Sequence, residues 1–116
     1  MKLEKIKYLI LAQEMDRAIQ FYQKVFGLTV SEHGEWWSEL NFGDTIVALH
    51  GGGDGTPNRT DLSFQVDNIV AACRLIRENG GRIVAEPEKR DGEPIVLATF
   101  ADTENNQVML TQWVGY

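Results

Sequence analysis

The chain has 116 residues, 43% of them apolar, and a formal net charge of −6, which is the length and composition of one folded domain with a hydrophobic core. The negative charge argues against nucleic acid as a partner, because phosphates call for a basic surface. No apolar run approaches the ~20 residues that cross a bilayer, and the opening MKLEKIKYLILAQEM lacks a signal peptide's long apolar stretch and cleavage site. A cytoplasmic protein with no membrane partner is therefore expected.

Taken in chain order, Lys5 to Ala12 reads as a strand, and Glu14 to Phe26 places Met15, Ala18, Ile19, Tyr22, Val25 and Phe26 on one helical stripe that stops at Gly27. Leu28 to His33, Trp36 to Phe42 and Thr45 to His50 follow as strands joined by turns at His33-Gly34-Glu35 and Gly43-Asp44. The Gly-rich stretch 51–59 suits a connection and neither regular element. Beyond it the order repeats: a strand at Asp61 to Val66, a helix at Asn68 to Asn79 bearing Ile69, Ala72, Cys73 and Ile76, and strands near 82–88, 94–101 and 106–113. This is βαβββ twice, an α+β arrangement with modules at about 4–50 and 60–114 within one domain spanning 1–116. The lone Cys73 has no disulfide partner in the chain and is expected as a buried, inert thiol.

The repetition is visible residue by residue. Met15 matches Ile69, Ala18 matches Ala72, Gly27 matches Gly81, Val30 matches Val84 and Glu32 matches Glu86, all at an offset of 54, while Thr45–Leu49 matches Asn106–Leu110 at 61. Each half on its own has an apolar face that only the other can bury. Alternation along the strands separates two faces. Tyr8, Ile10, Ala12, Val47, Leu49, Leu62, Phe64, Val66, Val108 and Leu110 form an apolar one that belongs under the helices. The other mixes Lys7, His50, Asp61, Ser63, Gln65, Met109, Thr111 and Trp113 with Leu9, Leu11, Ile46, Ala48 and Gln107, a lining better suited to a pocket than to a core.

The first helix, Glu14-Met15 through Phe21-Tyr22 to Phe26-Gly27, and the last hairpin, Phe100-Ala101-Asp102-Thr103-Glu104-Asn105-Asn106, resemble motifs of the vicinal oxygen chelate superfamily, the glyoxalase, bleomycin-resistance and extradiol-dioxygenase group. The resemblance covers nearly the whole chain. It implies two βαβββ units whose mixed sheets curl around a cup, usually in a homodimer, and enzymes of that group hold a divalent metal in the cup. The four ligand places carried over fall on Lys7, Ala48, Asp61 and Met109. Only Asp61 is an ordinary ligand for such an ion, so no metal and no other cofactor is expected. Lys7 and Asp61, equivalent in the two halves, are instead candidates for an ion pair, within one chain or across the dimer.

His33, beside Gly34 in a turn, reads as an exposed polar residue, whereas His50 either serves as a base or ligand contact on the cup face or simply faces solvent at a strand end. Consecutive Trp36 and Trp37 point to opposite sides. If Leu40 and Phe42 face the helix, Trp36 joins them and Trp37 is left in the cup. The glycines lack the following Lys-Ser or Lys-Thr of a phosphate loop. The leading expectation is a small-molecule-binding, bleomycin-resistance-like protein rather than an enzyme, using Lys7, Trp37, His50, Asp61, Ser63, Gln65, Met109, Thr111 and Trp113, with Asp61 and Glu39 favouring a planar cation. The alternatives are a lyase, isomerase or dioxygenase, with a metal or without one through His50, and a subunit or regulatory module whose cup binds nothing.

Overall fold

A computed structural model describes residues 1–116. The first half runs β1 (Lys7–Ala12), α1 (Met15–Phe26), β2 (Thr29–Glu32), β3 (Trp37–Phe42) and β4 (Thr45–Gly51), and the second β5 (Asn58–Gln65), α2 (Ile69–Glu78), β6 (Arg82–Lys89), β7 (Ile95–Ala101) and β8 (Asn106–Trp113). Each half forms a four-stranded mixed sheet, ordered β1-β4-β3-β2 and β5-β8-β7-β6, in which only the β1–β4 and β5–β8 pairs are parallel. This is the α+β pattern expected from the strand order, with the two sheets not closed on one another. The connection between the halves is shorter than expected, because β4 extends through Gly51 and β5 begins at Asn58.

One core serves both halves. Ile10, Ala12, Val47, Leu49, Leu62, Val108 and Leu110 are buried, and Tyr8, Phe64 and Val66 pack against them, as alternation required. α1 contributes Ala18, Ile19 and Tyr22 and, beyond the expected stripe, Phe21, which is 1% exposed. Phe21 reaches across to Phe100 of β7, with ring centroids 6.0 Å apart, so α1 buries one flank against its own sheet and another against the second half.

The matched glycines at the two helix ends have different physical reasons. Gly27 takes φ +68°, the left-handed region that closes α1, and its N–H and that of Leu28 bond back to Gln23 and Tyr22. At Gly81 the constraint is space: a Cβ there would lie 2.6 Å from the Ile76 side chain and 2.9 Å from Phe21.

Polar groups lock the halves together below this core. Asp102, at the end of β7, accepts from Tyr22 Oη at 2.6 Å and from the Asn106 side chain at 2.8 Å, all three groups being buried. Asn106 also brackets β1, accepting from the Leu11 N–H and donating to the Leu11 carbonyl. Glu104 accepts from the N–H groups of Gln13 and Glu14 at 2.9 and 2.8 Å and pairs with Arg17. Burial pushes the Asp102 carboxyl above its usual range, its hydrogen bonds offsetting this only in part. Burial chiefly, and then the neighbouring Asp102 charge, drives the Tyr22 hydroxyl well above its usual value.

Candidate functional site

The face of the sheets turned away from the helices, the trough of the two halves, carries the nine candidate residues, and its first half centres on an ion pair. Lys7 of β1 donates to Glu39 Oε2 at 2.8 Å, and the indole N–H of Trp37 donates to the same oxygen at 2.7 Å. These partners lie two strands apart in the order β1-β4-β3. Lys7 reaches Glu39 because Ala48, between them on β4 and directly opposite Glu39, is only a methyl. The Glu39 side chain is 5% exposed while that of Lys7 is 35% exposed, so the carboxylate is covered and the ammonium is its lid toward solvent. Hydrogen bonds from Lys7 first and Trp37 second hold the Glu39 carboxyl below its usual range. The expected Lys7–Asp61 pair is thus replaced by Lys7–Glu39. The ammonium also stands 5.6 Å from the centre of the Trp37 ring.

His50 lies opposite Trp37 in the β3–β4 register, with the rings edge to face at 6.0 Å. Its Nδ1 is 2.6 Å from the Gly51 carbonyl oxygen, which fixes Nδ1 as the protonated nitrogen and leaves Nε2 as an acceptor. Trp37 therefore sits where alternation placed it. Trp36 does not: it is 65% exposed, and Phe42 is 74% exposed. β3 starts only at Trp37, and of the even positions only Ser38 and Leu40 are buried. His33 is exposed in its turn, as expected, and contacts Asp16 at 2.9 Å.

The second half of the trough is more open. Asp61, Ser63 and Gln65 follow one another along β5 with exposed side chains, and across β8 Ser63 is in register with Met109 and Gln65 with Thr111. Met109 and Trp113 are 43% and 55% exposed, while Thr111 is covered. The backbone N–H of Asp61 donates to the Tyr8 hydroxyl, which ties β5 to β1 where the halves meet. Leu9 and Leu11 of β1 are also exposed along the trough.

The nine candidate residues thus fall into two groups, Lys7, Trp37 and His50 on the first sheet and the other six on the second. Only the first group is knitted by direct contacts. Its organising member, Glu39, was visible in the sequence only as a charge. The signal that could have found its role is the register: a lysine and a glutamate flanking a strand that carries alanine between them.

Residues 5–110 match the family of the Glyoxalase/Bleomycin resistance protein/Dioxygenase superfamily. The chain belongs to this superfamily. Among curated proteins it is similar to the lactoylglutathione lyase of Escherichia coli O157:H7, 29% identical over 114 residues covering 85% of this chain and 84% of the relative. That of Haemophilus influenzae is 28% identical over 110 residues, 82% of each chain. Among solved structures, the genomically encoded fosfomycin resistance protein of Listeria monocytogenes superimposes with a TM-score of 0.78 at 12% identity, covering 97% of this chain and 94% of that one. A family enzyme from Burkholderia phytofirmans PsJN gives 0.76 at 18%, covering 92% and 96%. At these identities the solved structures bear on the fold alone.

The superfamily's divalent metal can be tested against the residues at its four places. Lys7, Ala48, Asp61 and Met109 offer one ammonium, one methyl, one carboxylate and one thioether, and the ammonium is already engaged by Glu39. Nowhere do three His, Cys, Asp or Glu side chains gather closely enough to hold an ion. Such a donor set does not fit a hard or borderline divalent ion.

Proposed function

We propose that this superfamily member binds a small organic molecule in the trough, with no divalent metal at the superfamily's ligand places. The observation that carries this reading is the Lys7–Glu39 pair: one of the four places holds an ammonium, which has no lone pair to give a metal and is committed to Glu39. The indoles of Trp37 and Trp113 supply flat apolar surface, and Asp61, Ser63 and Gln65 supply hydrogen-bonding groups. Because Lys7 neutralises Glu39, attraction for a cationic ligand rests on Asp61 rather than on both carboxylates. The halves act as one domain in this reading, since they share a core. We take the working form to be a cytoplasmic homodimer, in which a second copy covers part of the surface of Leu9, Leu11, Met109 and Trp113.

A second reading is supported by His50. With Nδ1 committed to the Gly51 carbonyl, Nε2 is free to accept a proton on the trough beside Trp37, as a lyase or isomerase would require. Lactoylglutathione lyase activity, the activity of the bacterial relatives, is the first assay to run on it.

Two measurements decide between these readings. Protein purified without chelator, dialysed against zinc, nickel or iron and then against buffer, should retain less than stoichiometric metal. Equilibrium dialysis with 9-aminoacridine, a planar cation, should give saturable binding that Trp37→Phe and Asp61→Asn weaken about threefold or more. Stoichiometric bound metal defeats the metal-free reading. Lyase turnover that His50→Gln abolishes would put the enzyme in its place.

A further inference from the structure

A polar cleft beside the start of α1 lies outside the trough and shares no residue with the groups above. It holds about 680 Å³ between the first turn of α1, the β2–β3 turn and the start of the glycine connection. Trp36 forms one wall. Its carbonyl accepts from the Gly51 N–H at 2.8 Å, and its indole lies along the glycine backbone. A Cβ at Gly51 would come within 3.0 Å of the indole Cε3, and one at Gly52 within 3.5 Å of Cζ3. The glycines thus give the ring a flat bed against which it is held, while 65% of the residue remains exposed. The turn itself is tight: Ser38 Oγ bonds both the N–H and the carbonyl of Gly34, where a Cβ would meet the Trp37 carbonyl oxygen at 2.8 Å.

Charge around this indole is one-sided. Glu14, Asp16 and Glu35 line the cleft against a single guanidinium, Arg17. That guanidinium is spoken for, pairing with Glu104 at 2.8 Å and Glu14 at 2.9 Å. His33 places Nε2 on Asp16 Oδ1 at 2.9 Å, which leaves the other Asp16 oxygen and the Glu35 carboxylate without a cationic partner. An anion at the start of α1 would meet the carboxylates of Glu14, Asp16 and Glu35 that line the cleft. A pre-ordered exposed indole with unpaired carboxylates beside it attracts a positive charge by both the ring quadrupole and Coulomb's law, and the ordering is done before the ligand arrives.

We propose that this cleft is a second binding site, independent of the trough, for an organic cation carrying an ammonium or guanidinium group whose apolar part lies on Trp36. The test uses the full chain labelled with ¹⁵N and the probe benzyltrimethylammonium, with benzyl alcohol as its uncharged counterpart. Saturable shifts are expected at the Trp36 indole N–H and at the backbone amides of 14–17, 33–36 and 51–52. Affinity should fall about threefold or more in Trp36→Ala and in Glu35→Gln, and for benzyl alcohol. Trp37→Phe, which alters the trough, should leave it unchanged, so that failure of the trough reading and failure of this one are separable. Both variants alter exposed side chains, and their unperturbed amide spectra elsewhere would show that the fold is kept. No saturation at millimolar probe, equal binding of benzyl alcohol, or shifts confined to the trough would each overturn the proposal.

Discussion

The two helices begin in opposite ways. α2 is started from within its own half: Asn68 sits in extended backbone and its side chain accepts from the Ala71 N–H at 3.0 Å, and Gln112 of β8 accepts from the Ile69 N–H at 2.8 Å. α1 has Glu14 at the same place with no side-chain cap, and the N–H groups of Gln13 and Glu14 on its approach are held by Glu104, about 90 residues further on in the β7–β8 turn. The repeated plan therefore hides an asymmetry in which the first half depends on the second for closure of its helix, while the second half is self-sufficient at the matching point. Arg17 and Thr103 complete this external cap by donating to Glu104 Oε2 at 2.8 and 2.6 Å.

The sharpest way to break the comparison is Glu104→Ala. The change strands two backbone donors at the helix start and removes the partner of Arg17 from a site where the carboxylate is fully covered. A loss of about 3 kcal/mol is expected, above the ~1 kcal/mol of an ordinary cap. Urea unfolding gives the total, and hydrogen exchange should show faster exchange for the amides of 13–18. A loss no larger than that of an ordinary cap would mean that α1 does not depend on the second half.

Much of this molecule was legible in advance, and the parts that were not share a cause. Alternation assigned the helix-facing side chains of β1, β4, β5 and β8 because burial on one face imposes a period of two. Trp37 and the exposed His33 followed from the same local logic. Trp36 escaped because parity says which side a residue faces, not whether anything covers that side at a strand end. Lys7–Glu39 escaped because it depends on strand order, which brings β3 within reach of β1 only across the alanine of β4. Tyr22, Asp102 and Asn106 were all present in the motifs that carried the family resemblance, yet the bond between Tyr22 and Asp102 spans 80 residues and has no local signature. The trough residues of β5 and β8 were placed by alternation, but the ligand they serve is not written in any spacing.

Acid sharpens the same comparison. Burial alone would push the Glu104 carboxyl up, but hydrogen bonds from Arg17, Thr103 and the Glu14 N–H outweigh it and leave it below its usual range. A carboxyl lowered by folding adds stability above its unfolded pKa of about 4.3, and that contribution is lost as pH falls through the lower folded value. Asp102 runs the other way. Its raised carboxyl favours the folded state when protonated, a contribution present below about pH 3.9 and lost as pH rises through the folded value. The stability difference between the native chain and Glu104→Gln, read from urea midpoints, should therefore be largest near neutrality and shrink as pH drops below about 4. A difference that stays constant through that window would show that the charge of Glu104 contributes nothing and that only its shape caps α1.

The smallest expected effect tests the self-sufficient side. Asn68→Ala removes one side-chain acceptor from an exposed helix start, so a loss of about 1 kcal/mol is expected, with Asn68→Asp close to neutral because aspartate caps equally well. Since the cap of α2 is built within the second half, Asn68 accepting from Ala71 and Gln112 from Ile69, this loss should add to that of Glu104→Ala in the double variant within about 0.5 kcal/mol. The helices do pack side by side, and Gly81, just past α2, lies against Phe21 of α1, so a route for coupling exists. Additivity would mean that the shared core tolerates fraying at one helix start without loosening the other. A coupling energy well above that margin would show that the second half leans on the first as much as the reverse, and that the asymmetry of the two caps is one of chemistry rather than of dependence.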